Sequence, residues 1–231
     1  MPQLLFIETS ALECSVALSR DKEIILCKEN AIQNSHSALL SVFIQEIITE
    51  SGIKYQDLDA VVVSKGPGSY TGLRIGVSTA KGICYAAEVP LIAIDTTLAL
   101  ANAAVKQLPS ENALYCPLID ARRMEVYTAF YNYKLETIRE VKAELLEENP
   151  FDEILKSQIV YFFGDGMSKS KEILQHQPNA HFLEIKNSAR HLLEPAFVAF
   201  EKKQFEDVAY FEPFYLKDFV AGKPKVKGLY E

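Results

Sequence analysis

The chain has 231 residues, 48% hydrophobic and 24% charged, a balance that suits a soluble globular protein of one large domain or two small ones. Its 24 basic and 31 acidic residues give a net charge of −7, which argues against a protein that grips RNA by itself through a basic face. No apolar run in the sequence approaches the ~18 residues a membrane-spanning helix needs.

The N-terminus "MPQLLFIETS" carries no basic segment and meets an acid at Glu8, so it reads as a strand, not a signal peptide. Three strands joined by tight turns are expected over about Leu4–Thr9, Cys14–Ser19 and Glu23–Lys28. A helix follows, N-capped by Asn34 or Ser35, with Leu39, Leu40, Phe43, Ile44, Ile47 and Ile48 as its apolar positions and Gly52 as its stop. "LDAVVVSK" is a β-branched run suited to a buried parallel strand. A Gly-rich turn, a helix over Thr71–Ala87, a strand at Pro90–Ile94 and a helix from Asp95 or Thr96 to Val105 complete the first part. "KQLPSEN" marks a boundary, which divides the chain into modules 1–106 and 107–231. The second module reads as strand, turn, strand, then a third strand in "LETIREVKAELLEE". A short helix, a strand at Ile159–Phe163, "GDG", a helix near Lys169–His176, a strand near His181–Ile185 and a helix from Ser188 to Lys203 follow. Lys223, Lys225 and Lys227 read as a solvated tail.

The two modules echo each other. "IETSALECSVAL" from Ile7 lies over "IDARRMEVYTAF" from Ile119, so that Glu8 meets Asp120 and Glu13 meets Glu125. With the shared element order, this predicts an α/β fold made of two copies of one module, mixed sheets covered by helices. The four carboxylates could form one set if both turns faced a common cleft, holding a metal-bound nucleotide; acids at strand ends also simply cap turns.

The turn Gly66-Pro67-Gly68-Ser69-Tyr70-Thr71 fails as a P-loop, which needs Gly-Lys-Ser/Thr at its end, and fails as a dinucleotide fingerprint for want of a third glycine. It reads as a tight turn that brings a helix close to its neighbours, with bare N–H groups open to an anion as the alternative. On that helix Gly72, Gly76, Ala80 and Cys84 repeat every four residues, and Arg74, Ser78, Lys81 and Tyr85 share a polar arc. Such a small stripe admits another backbone at close range. The preceding helix has only Glu46 as a charge between His36 and Thr49. Two helices too apolar for one sheet point to a surface awaiting another chain, unless the second module covers them. Gly76→Leu is then expected to leave the monomer folded and to block association.

Chemistry of the chain's own is hard to find. The histidines, His36, His176, His181 and His191, form no H-x3-H or H-E-x-x-H pair. There is no Gly-x-Ser-x-Gly elbow, and Cys14, Cys27, Cys84 and Cys116, widely spaced, read as buried reduced thiols of a cytoplasmic protein.

"GPGSYTGLRIG" after a strand, "IDARRMEVY" opening the second module and "EPFYLKDF" near the end closely resemble the bacterial TsaB (formerly YeaZ) family, from Leu4 to Phe219. The resemblance implies a duplicated actin-like, Hsp70-like and sugar-kinase-like fold, and a place in the system that makes threonylcarbamoyladenosine in tRNA. It implies a non-catalytic scaffold for the related subunit TsaD, which carries a metal-binding H-x3-H pair where this chain has His36 and Leu40. ATP, ADP and metal are expected on partner subunits, with the ATPase TsaE joining the complex and tRNA met only through it. The partner-facing surface would comprise Leu39, Leu40, Phe43, Ile47, Gly72, Arg74, Gly76, Thr79, Ala80 and Ile83, entered through the turn Gly66, Pro67, Gly68, Ser69 and Thr71. Without the partner the same surface would make a homodimer. A nucleotide-binding phosphotransferase or ATPase of the same fold, or a glycoprotease-like peptidase, are the alternatives.

Overall fold

A computed structural model describes residues 1–32 and 36–217. Strands β1 (Gln3–Glu8), β2 (Cys14–Arg20) and β3 (Glu23–Asn30) form an antiparallel meander. Helix α1 (His36–Ser51), β4 (Ala60–Gly66), α2 (Tyr70–Ala87), β5 (Leu91–Asp95) and α3 (Thr96–Gln107) follow. The second half repeats the order: β6 (Ala113–Asp120), β7 (Glu125–Tyr131), β8 (Thr137–Leu145), α4 (Asp152–Leu155), β9 (Ile159–Phe163), α5 (Met167–Leu174), β10 (Ala180–Phe182) and α6 (Leu193–Glu201). Each half builds a five-stranded sheet, β3-β2-β1-β4-β5 and its counterpart β8-β7-β6-β9-β10. In both, the first three strands are antiparallel and the rest parallel. The duplicated α/β module is therefore present; α4, four residues where α1 has sixteen, is its most reduced element.

The patterning explains the layers. Leu4, Leu5, Phe6 and Ile7 of the central β1 are all buried, an unbroken run for a strand covered on both faces. The edge strand β8 alternates instead and carries Arg139, Glu140, Lys142 and Glu144, charges that discourage pairing with another edge. Leu5, Ile7, Val61 and Val63 face α1 and α2. On the opposite face, Leu4, Phe6, Val62 and Ile92 meet Leu192, Leu193, Ala196 and Phe197 at the start of α6. Helix α3 turns Leu100, Ala101 and Ala104 toward Tyr115, Ile119 and Phe163 of the second sheet. The far face of that sheet packs Phe130 and Phe162 against Phe151 and Leu174.

The strands of the two sheets separate between β5 and β6, where α3 lies. The packing does not: α3, from 1–106, helps cover the second sheet, and α6, from 107–231, covers the first. β10 is shorter than expected, because the chain leaves the sheet after Phe182. The last helix starts as a 3-10 turn, Ala189–Leu192, whose Arg190 N–H donates to the Ser188 hydroxyl at 3.2 Å. The expected caps Asn34 and Ser35 and the basic tail lie outside the described residues. Among the described residues no helix is long and apolar enough to cross a membrane.

Candidate functional site

The Gly-rich turn is a junction of three backbones. Ser69 caps α2, its hydroxyl accepting from Gly72 N–H at 3.2 Å, and its own N–H donates to Ser10 O of the β1–β2 turn at 2.6 Å. Phe214 N–H donates to Lys65 O at 2.7 Å, bringing the segment after α6 against the end of β4. Gly66, with a cis bond to Pro67, has φ +117° and its Phe214-facing side lies 2.6 Å from Phe214 O at the position of a Cβ. The reading of the stretch as a tight turn with close approach holds.

What approaches closely is this chain itself, which corrects the docking assignment of the small stripe. A Cβ on Gly72 would sit 2.0 Å from Thr9 O, and one on Gly76 2.2 Å from Thr9 Oγ1. The Thr9 hydroxyl also donates to Gly72 O at 2.8 Å, locking α2 onto the end of β1. Gly72, Gly76 and Ala80 are buried there, and Leu40 and Ile47 of α1 are buried on the sheet. None of these five is open to another chain in the monomer, and Gly76→Leu would strike Thr9 before it met a partner. The other five residues of the expected surface, Leu39, Phe43, Arg74, Thr79 and Ile83, remain at or near the surface. Beside them Val42 is 45% exposed and Tyr85 84%. Thr71 is exposed on the first turn of α2.

The three motifs meet at one cleft. Pro67–Tyr70, Asp120–Arg123 and Phe214–Lys217 line it together, a convergence the sequence separation hides. Tyr70 packs on Tyr215 with ring centroids 4.9 Å apart, and the Arg74 guanidinium lies 5.2 Å from the Tyr70 centroid. Lys81 Nζ donates to Ala209 O at 3.1 Å and Phe211 O at 2.8 Å, so the segment after α6 is tied to α2 as a strap. Lys217 ends it in an ion pair with Glu125. No periodic pattern announces this segment; "EPFYLKDF" was visible only as a motif.

Three of the four turn carboxylates, Glu8, Asp120 and Glu125, are drawn to separate tasks. Glu8 is buried and accepts from both the N–H (2.6 Å) and the hydroxyl (2.5 Å) of Ser10; burial holds its carboxyl above the usual carboxylate range. Asp120 pairs with Lys169 at 2.5 Å and accepts from Arg122 N–H at 2.8 Å. Glu125 pairs with Lys217, while the backbone carbonyl of Glu13 meets His36 Nε2 at 3.2 Å. Among the described residues no three His, Cys, Asp or Glu side chains gather as metal ligands. Asp165 of "GDG", absent from the candidate site residues of the sequence, accepts from Asp120 N–H at 2.9 Å and shares a second pocket with Ser10 and His36. The arrangement is a pair of braced turns facing each other.

Comparison with known proteins agrees with this architecture. The family model described as TsaD, tRNA N6-adenosine threonylcarbamoyltransferase, matches residues 29–225. A protein of Bacillus subtilis named tRNA threonylcarbamoyladenosine biosynthesis protein TsaB is 30% identical, over 93% of each chain. One of the same name from Haemophilus influenzae is also 30% identical, over 95% of each. A solved Pseudomonas aeruginosa structure, described as an uncharacterized protein with similarity to the peptidase YeaZ, superposes with a TM-score of 0.80 at 25% identity, covering 94% of this chain and 100% of that one. The activator of 2-hydroxyisocaproyl-CoA dehydratase from Clostridium difficile, with bound ADPNP, shares the fold at 10% identity with a TM-score of 0.51, covering 88% and 95%. The duplicated α/β module and the family matches lead to one conclusion: the chain belongs to the TsaB family of tRNA threonylcarbamoyladenosine biosynthesis proteins.

Proposed function

We propose that this chain is a scaffold subunit without chemistry of its own, which binds and activates a TsaD-like threonylcarbamoyltransferase in the cytoplasm. A TsaE-like ATPase joins the assembly, tRNA is met only through it, and nucleotide and metal reside on the partner subunits. The observation that carries this reading is the apolar surface of α1 and α2, with Val42 and Tyr85 exposed and Leu39, Phe43, Ile75 and Ile83 half-buried on the same two helices. Side chains of that kind, flanked by Arg74 and Ser78, suit the core and rim of a protein interface. Alone, the same band would pair two copies of the chain.

The other classes draw less support. Burial pushes the thiols of Cys14, Cys84 and Cys116 up to about 11, 12 and 12, the reverse of an activated nucleophile. Glu8 and Asp120 are engaged by Ser10 and Lys169, so these two carboxylates lend the phosphotransferase reading little support.

The deciding experiment is tRNA threonylcarbamoylation by purified TsaD-like and TsaE-like proteins of the same organism, supplied with threonylcarbamoyl-adenylate, with and without this chain. Activity only in its presence is the expected result; full activity without it would overturn the scaffold role.

A further inference from the structure

The turn between β6 and β7 carries two successive arginines on a backbone that few side chains tolerate. Arg122 and Arg123 have φ of +67° and +50°, in the left-handed region. Lys169 holds the turn from within: its ammonium donates to Asp120 Oδ1 at 2.5 Å, Arg123 O at 2.8 Å and Glu125 O at 2.6 Å, which uses all three of its donors. Arg122 N–H donates to Asp120 Oδ1 at 2.8 Å. Backbone kept in a sparsely populated region by such bracing is found mostly where a ligand or partner is met.

Both arginine side chains are exposed and line the cleft shared with the Gly-rich turn and the strap, a space of about 380 Å³. Among the described residues neither guanidinium has an ion pair or a hydrogen bond. The two carboxylates on the same walls are already matched, Asp120 by Lys169 and Glu125 by Lys217. Asp165 borders the neighbouring pocket with Arg122 and forms no ion pair with it. The cleft thus keeps two positive charges in a chain whose net charge is −7. Its remaining walls are largely aromatic: Tyr70, Tyr127 and Tyr215 are half-buried and Phe214 is exposed.

Guanidinium groups beside aromatic rings receive a phosphate and a base together. With both wall carboxylates engaged, the cleft suits the single charge of a phosphodiester better than a metal-bound polyphosphate, whose cation calls for carboxylate ligands. We propose that this cleft binds a single-stranded segment of nucleic acid, one base lying against Phe214 and Tyr215 and its flanking phosphodiesters meeting Arg122 and Arg123. The volume suits one nucleotide at a time. Two charges are too few to retain a strand at physiological salt, so the contact acts on RNA already held by the other subunits of the assembly. Binding itself is measured on the chain alone, which keeps its failure distinct from failure of the scaffold reading.

The test titrates the nitrogen-15-labelled full chain with a uridylate hexamer at low ionic strength and follows the backbone amide signals. The expected result is a saturable shift centred on residues 121–124 and 214–217, with a Kd on the order of 1 mM or tighter. An abasic hexamer, which keeps the phosphates and lacks the bases, should bind about tenfold more weakly. Arg122→Gln combined with Arg123→Gln should weaken the hexamer about tenfold or more at an unchanged urea midpoint. Lys54→Gln combined with Lys202→Gln removes the same charge from exposed positions elsewhere and should weaken it less than about twofold. The proposal is overturned if the hexamer leaves those signals in place, if the abasic strand binds equally well, or if the lysine pair costs as much as the arginine pair. It is overturned equally if uridine monophosphate binds the same residues more tightly than the hexamer, which would mark a site for a free nucleotide.

Discussion

Replacing Gly76 by alanine tests how α2 is held. The new Cβ would lie 2.2 Å from Thr9 Oγ1 and 3.4 and 3.5 Å from the Cβ and Cγ2 of the same residue. Thr9 cannot rotate away freely, since its hydroxyl donates to Gly72 O in a buried position. Relief by shifting the helix amounts to overpacking, about 1–3 kcal/mol, and relief by turning the hydroxyl away loses a hydrogen bond, about 1 kcal/mol. Helix propensity works the other way, favouring alanine over glycine by about 1 kcal/mol. The net expectation is destabilisation by about 1–3 kcal/mol, read as a lower urea midpoint with an unchanged slope. Gly82 supplies the control on the same helix: it is exposed and a Cβ there meets nothing within 4 Å. Gly82→Ala should therefore stabilise by up to about 1 kcal/mol. Thr9→Ala removes the clashing oxygen, so the loss in the double variant should be smaller than the sum of the two single losses. A Gly76→Ala protein as stable as the Gly82→Ala protein would refute the assignment of the small stripe to Thr9.

Three further outcomes are expected. Val42→Glu and Tyr85→Glu change exposed side chains, so their urea midpoints should stay within about 0.5 kcal/mol of the parent while association with the TsaD-like subunit, measured by calorimetry, falls at least about tenfold. His191, whose folded pKa of about 4 lies below the ordinary 6.5, favours the folded state above pH 6.5, and that contribution is lost as pH falls from 6.5 toward 4. His191→Gln should flatten the acid limb of stability over that window by up to about 3 kcal/mol, and an unchanged limb would show that the ring is not held neutral. Lys81→Met removes two hydrogen bonds to the strap, so amide exchange at Phe211 and Tyr215 should accelerate and stability fall by about 1–2 kcal/mol; unaltered exchange would mean that the strap stays in place without them.

The fold was largely legible because its signals are local. Glu8 over Asp120 marks equivalent strand ends in equivalent sheets, and β-branched runs identify the buried parallel strands. Less legible was which surface answers which. Four-residue spacing of Gly72, Gly76 and Ala80 says that something packs tightly on α2, but only the three-dimensional arrangement identifies it as Thr9. The same limit applies to α1, where apolar residues cover half the circumference and the sheet takes Leu40, Ile44, Ile47 and Ile48 while leaving Val42 outside. The strap after α6 begins in a turn at 208–210 and continues without helix or ladder, so neither helical nor strand periodicity could reveal it. Asn187 draws its character from burial beside Ser10, 177 residues away in the sequence.

The placing of α6 on the first sheet has a bearing on how the protein is made. During synthesis the first sheet emerges early, yet the face bearing Leu4, Phe6, Val62 and Ile92 finds its cover only when Leu193, Ala196 and Phe197 have left the ribosome. Until then a greasy surface stays open to chaperones and to other nascent chains. Neither half, cut at residue 106, would inherit a finished interior, so fragments are expected to fold only when mixed, and the whole chain to melt as a single cooperative unit.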